Sequence, residues 1–122
     1  MNEKIVAIDF DGKIVKKAWP EIGEFKPYAK SALKNIKKAG WIMILDTCRT
    51  GKYLKEAIDF LESNGIYFDL YNENHPERIK LYGSDCRKIS ADYYIDDQQL
   101  FGGNVGWPET ENRLLSIYNK NK

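Results

Sequence analysis

The stretch Ile5-Val6-Ala7-Ile8-Asp9-Phe10-Asp11-Gly12 decides the fold of this 122-residue chain. Apolar, strand-forming residues run into two aspartates one residue apart, and a glycine follows at once. Residues 4–10 read as a strand buried on both faces, which implies a parallel sheet. Side chains alternate along a strand, so Asp9 and Asp11 are expected on the same side. Two carboxylates so placed repel each other and lose solvation. A hard cation with oxygen ligands is their commonest partner; the bland alternative is a strand end with two solvated aspartates. Gly12 lets the backbone turn sharply just past the pair.

The same grammar repeats along the chain. A loop or small hairpin is expected over 13–26, where Trp19-Pro20 and Gly23 interrupt any helix. A helix follows from Pro27 to Ala39, with Tyr28, Ala32, Leu33, Ile36 and Ala39 as its apolar stripe and Gly40 as its stop. Trp41–Leu45 is the next strand and closes on Asp46, Thr47, Cys48 and Arg49. Lys52–Ser63 reads as a helix, Ile66–Leu70 as a short strand, and 71–87 as irregular with one helical turn near Glu77–Leu81. Tyr93–Ile95 is a strand ending on Asp96-Asp97; Gly102, Gly103 and Gly106 mark a loop; Pro108 to about Tyr118 is the last helix. Strands alternating with helices predict a three-layer α/β/α sandwich with a mainly parallel, Rossmann-like sheet, as one domain over 1–122. Ligands of such sheets sit at the carboxyl ends of the strands, which would gather Asp9, Asp11, Asp46, Thr47, Arg49, Asp96 and Asp97 at one edge.

Composition sets the bounds. A net charge of +1 gives no general pull toward nucleic acid or an anionic membrane. No apolar run approaches a membrane span. Met1-Asn2-Glu3-Lys4 lacks a signal-peptide pattern, and Cys48 and Cys86 make neither a zinc spacing nor a disulfide framework. A reducing cytoplasm is the expected setting.

In order, the chain shows strand–Asp9-x-Asp11-Gly12, strand–Thr47, Lys88 and strand–Asp96-Asp97, the last within Ala91-Asp92-Tyr93-Tyr94-Ile95-Asp96-Asp97. This set resembles the haloacid dehalogenase superfamily, in particular its small capless bacterial and phage phosphatases. The resemblance implies a magnesium-dependent phosphohydrolase acting on a phosphate monoester. Asp9 would be the nucleophile that forms an aspartyl-phosphate, and Asp11 the general acid/base. Asp9, the main-chain carbonyl of Asp11, and Asp96 would bind Mg2+, with Asp97 holding a metal-bound water. Thr47 would hydrogen-bond the phosphoryl oxygens, and Lys88, preferred over Lys80, would neutralise their charge. Gly12, Lys13, Cys48 and Arg49 complete the expected substrate-binding set.

Where the family usually carries threonine, this chain has Lys13, read as a solvated lysine or a contact to substrate phosphate. Arg49 would clamp a second anionic group or make a surface salt bridge. Asp46 is a substrate-facing group or a strand-end aspartate. Trp19 anchors the flap after the first strand or stacks on a substrate ring. His75 reads as an exposed loop residue, Cys48 as a small packed one, and the tyrosines and Trp41 as mostly core. The gaps between motifs leave no room for a cap domain. An open site suits a macromolecular phosphate, nucleic acid included, or a small one covered by a second copy of the chain. A phospho-aspartate receiver is one rival class, but receivers place the paired acids first and the phosphorylated aspartate later; a metal-binding module that has lost turnover is the other, set against the presence of all four motifs.

Overall fold

The computed structural model describes residues 4–101 and 104–120. Met1–Glu3, and the loop expected at Gly102 and Gly103, fall outside them. The elements are β1 (Ile5–Ile8), α1 (Ala29–Ala39), β2 (Ile42–Leu45), α2 (Gly51–Ser63), β3 (Leu70–Tyr71), α3 (Pro76–Tyr82), β4 (Tyr93–Ile95) and α4 (Trp107–Lys120). The strands form one parallel sheet in the order β3-β2-β1-β4. Ile8 pairs with Leu45 on one side and Ile95 on the other, so β1, β2 and β4 end at the same level.

The two faces are covered unequally. Val6, Ile8, Met43 and Leu45 pack under α1, α2 and α4, against Leu33, Ile36, Leu61, Trp107 and Leu114. Each such aliphatic side chain contributes about 1.5–3 kcal/mol by leaving water. The indole of Trp41 donates to the Leu114 carbonyl at 3.1 Å and ties α4 to the start of β2. On the other face Ile5, Ala7 and Ile44 meet mainly Ile89. The short α3 buries no residue of its own. The result is the expected three-layer α/β sandwich, with one thick and one thin outer layer. Among the described residues, no helix is long and apolar enough to cross a membrane.

Several local expectations are corrected. β1 stops at Ile8, because the Phe10 carbonyl collects the N–H groups of Lys13, Ile14 and Val15 and starts a turn. Tyr28 does not join the stripe of α1. Its φ of 65° lies in the left-handed region, the helix begins one residue later, and the ring is 70% exposed. The strand expected from Ile66 pairs with β2 only at Leu70 and Tyr71. Ile66 instead closes α2, its N–H donating to the Leu61 carbonyl at 2.9 Å past the left-handed Gly65. Trp41 is core, whereas Tyr67, Tyr82, Tyr93 and Tyr94 are exposed. The 13–26 hairpin is present, with Val15 bridged to Phe25 in antiparallel sense.

Candidate functional site

The site is built on the level strand ends. The Asp9 amide donates to the Ile95 carbonyl and the Asp46 amide to the Ile8 carbonyl, both at 2.9 Å. The sheet ladder thus runs on into the aspartates. By alternation Asp9 follows Ala7, Asp46 follows Ile44 and Asp96 follows Tyr94, all on the thinly covered face. Asp9, Asp96 and Asp97 each place a carboxylate oxygen within 4.8 Å of the others. An all-carboxylate oxygen set of this kind is the donor chemistry a hard divalent cation takes.

The electrostatics register the crowding. Burial, a hydrogen bond to Asp97 and the charges of Asp96 and Asp97 raise the Asp9 carboxyl to about 7, against a weaker pull downward from the Phe10 amide. For Asp97, burial pushes upward but is outweighed by hydrogen bonding with Asp9 and by the Lys17 cation, so the net shift is downward. Lys17 lies 3.4 Å from Asp97. Burial, then the charge of Asp96, raises Asp46.

Asp11 stands apart from this cluster, which corrects the expectation that its carboxylate shares a side with that of Asp9. The strand has already ended, and the turn points Asp11 at Arg49. The guanidinium grips it with Nε–Oδ2 at 2.7 Å and Nη2–Oδ1 at 2.8 Å. Its remaining N–H groups donate to the carbonyls of Pro20, Glu21 and Tyr53. Arg49 is 1% exposed and stacks near the rings of Phe10 and Trp19. All its donors are used inside the protein, so it is no clamp for a substrate anion and no surface salt bridge. Trp19 leans on Tyr53, with ring centroids 4.9 Å apart, and stays 58% exposed.

The other expected residues separate by position. The Thr47 amide donates to Asn72 Oδ1 at 2.8 Å, and its hydroxyl oxygen accepts from the Arg49 amide at 3.2 Å. Its own O–H is therefore available to a ligand at the strand edge. Cys48 is exposed, not packed. The Gly12 amide is spent on the Val15 carbonyl at 2.7 Å, so Gly12 supplies space instead of a donor. A Cβ there would run into the Asp97 carboxylate, and φ is 87°. Lys13 is not solvated; it is 6% exposed and donates to the Val105 carbonyl at 2.7 Å. Lys88 is exposed, with its ammonium 5.3 Å from the Tyr94 ring centroid, beside the strand that ends on Asp96. Lys80 is exposed in the last turn of α3. His75 caps α3, its Nδ1 accepting from the Glu77 amide at 3.1 Å.

Sequence reasoning passed over Lys17 and Asn72. Asn72 has φ of 53° and staples the Thr47–Arg49 loop from both sides, through Thr47 N–H and the Arg49 carbonyl. An asparagine just past a short strand is the only signal it offers, since Asn tolerates the left-handed region.

No family model and no curated protein matches the chain. Among solved structures it is similar to one described as a conserved protein coded by a locus of Bacteroides thetaiotaomicron. The two share 34% identity and a TM-score of 0.84, over 95% of this chain and 93% of the other. The chain belongs to the same family as that Bacteroides protein. Membership in this family carries the fold with it and leaves the activity to be argued from the site.

Proposed function

We propose that the protein is a magnesium-dependent phosphohydrolase of haloacid dehalogenase type, cleaving a phosphate monoester through an aspartyl-phosphate on Asp9. The observation that carries this reading is the convergence of Asp9, Asp96 and Asp97 at the carboxyl ends of parallel strands, with the Thr47 hydroxyl on the neighbouring strand end. Asp9, Asp96 and Asp97 are the side chains that would hold the cation. When bound, Mg2+ offsets the charge of the carboxylates and of the phosphate dianion.

This chain's residues then have defined work. The ionised Asp9 carboxylate attacks phosphorus; the P–O bond to the leaving alcohol breaks, and that oxygen takes a proton from Asp11. Water then attacks the phosphorus of the acyl-phosphate and gives its proton to Asp11, releasing phosphate and restoring both aspartates. Thr47 donates to a phosphoryl oxygen, and Lys88, which among the described residues pairs with none of the three carboxylates, turns from the Tyr94 ring toward the same charge when substrate binds. Asp11 must release one of its two Arg49 contacts to serve the leaving oxygen. Turnover of p-nitrophenyl phosphate that needs Mg2+, stops in EDTA and returns on readdition is the expected result. Full activity in EDTA would sink the metal assignment.

The Arg49 grip on Asp11 favours one second reading: a phospho-aspartate switch whose acid/base is restrained and whose hydrolysis is slow. Intact-mass measurement after brief exposure to acetyl phosphate separates the two. The hydrolase shows no lasting adduct, and the switch keeps one phosphoryl group.

A further inference from the structure

Beside the carboxylate cluster lies a second concavity of about 380 Å³. Its walls come from three places: Gly12 and Lys13 in the turn after β1, Lys26 to Tyr28 before α1, and Asn104 to Pro108 where α4 begins. Gly12 is shared, because its other side abuts Asp97. The cleft therefore opens one residue away from the proposed phosphoryl site.

Its charge is unusual. Lys13 is almost wholly buried, yet among the described residues it makes no ion pair within 4.0 Å, and neither does Lys26. Lys13 is rigid at both ends. Its ammonium donates to the Val105 carbonyl at 2.7 Å, and its own carbonyl accepts from the Trp107 indole at 2.8 Å. Burial lowers its pKa and the Lys26 cation does the same, against an upward pull from the charges of Asp97, Asp96 and Asp9. Two lysines thus line one concave space, and the 14-residue α4 adds the positive end of its dipole to the same wall. The carboxylates beyond Gly12 offset part of the Lys13 charge from outside, and among its described lining residues the cleft itself has no acidic side chain.

We propose that this cleft binds a second oxyanion group of the substrate, a phosphate or carboxylate held between Lys13 and Lys26. The substrate class is then a bis-anionic ester, an inference that rests on the phosphohydrolase reading for its word substrate and on the cleft alone for its word anion. The Tyr28 ring, held out at the rim, covers the connecting portion of such a molecule.

Inorganic phosphate is titrated into the protein in EDTA with tryptophan fluorescence as readout, since Trp107 lines the cleft. Without metal the carboxylates repel anions, so the signal belongs to the lysines whether or not the protein has any turnover. Saturable binding, weakened at least tenfold in Lys26→Glu and unchanged in Lys52→Glu on the outside of α2, is expected. No binding by the wild type, or equal loss in both variants, overturns the site. The second arm uses Asp9→Asn with Mg2+. 1,3-Propanediol bisphosphate should bind at least tenfold tighter than propyl phosphate, and Lys26→Glu should erase the difference. Equal affinity for the two ligands shows that the cleft takes only free anions and overturns the substrate claim.

Discussion

Asp9 closes β1 among other carboxylates, whereas Asp11, two positions on, faces a buried guanidinium. The first region is an accumulation of like charge, where burial and the neighbouring carboxylates raise the Asp9 carboxyl to about 7. In the second, every donor and both acceptor oxygens are matched inside the protein. A region of the first kind is poised for a ligand and gives up stability to remain so. A region of the second kind fastens structure, here the 19–21 segment to the loop after β2 and to α2, and its Asp11 can serve chemistry only by loosening that grip.

Four experiments test that contrast. The largest effect belongs to Asp9→Asn, which keeps the shape and removes the nucleophile. Turnover should fall by more than about 10³-fold, or about 4 kcal/mol in the barrier, with an unchanged circular dichroism spectrum. Wild-type rates in this variant would end the covalent mechanism.

Arg49→Ala comes next and acts on stability. It strands the Asp11 carboxylate and unties three carbonyls, so chemical denaturation should report a loss of about 3 kcal/mol. A loss under about 1 kcal/mol would place the pair with ordinary surface salt bridges.

Mg2+ should act only on the first region. At a hundredfold excess over its dissociation constant it should stabilise the wild type by about 2.7 kcal/mol, and Asp96→Asn should lose most of that gain. A melting curve indifferent to millimolar Mg2+ would count against a preformed cation site.

The smallest change expected is that of Asp97→Asn on the pH dependence of the metal-free protein. Asp9 is raised from 3.8 to about 7, so between those values the folded state holds a proton that the unfolded chain has lost. Stability from this group therefore falls as pH rises from about 4 to 7 and is flat above. Asp46 shifts the same way; Asp97 shifts downward and acts only below the ordinary carboxylate range. Asp97→Asn should flatten the decline and raise the apparent melting temperature at pH 8 by a few degrees, because it removes one of the repelling charges. A decline as steep as the wild type's would mean that Asp97 does not set the Asp9 shift.

Period and punctuation carried much of this protein without any coordinates. Ile5–Ile8 and Ile42–Leu45 are apolar at every position because a parallel sheet covers both faces, and that requirement is written in composition alone. The same strands, ending on aspartates, bring Asp9, Asp46 and Asp96 to one edge through a rule of connectivity that needs no side-chain detail. What could not be read was where a side chain goes once the strand stops. Asp11 leaves the cluster because Phe10 begins a turn, and Arg49 and Lys13 are buried because distant segments supply their partners: Pro20 and Glu21 for one, Val105 and Trp107 for the other. Local pattern reports the periodicity of burial, while the pairing of a charge is settled by residues far along the chain, which only the packed structure brings within hydrogen-bond reach.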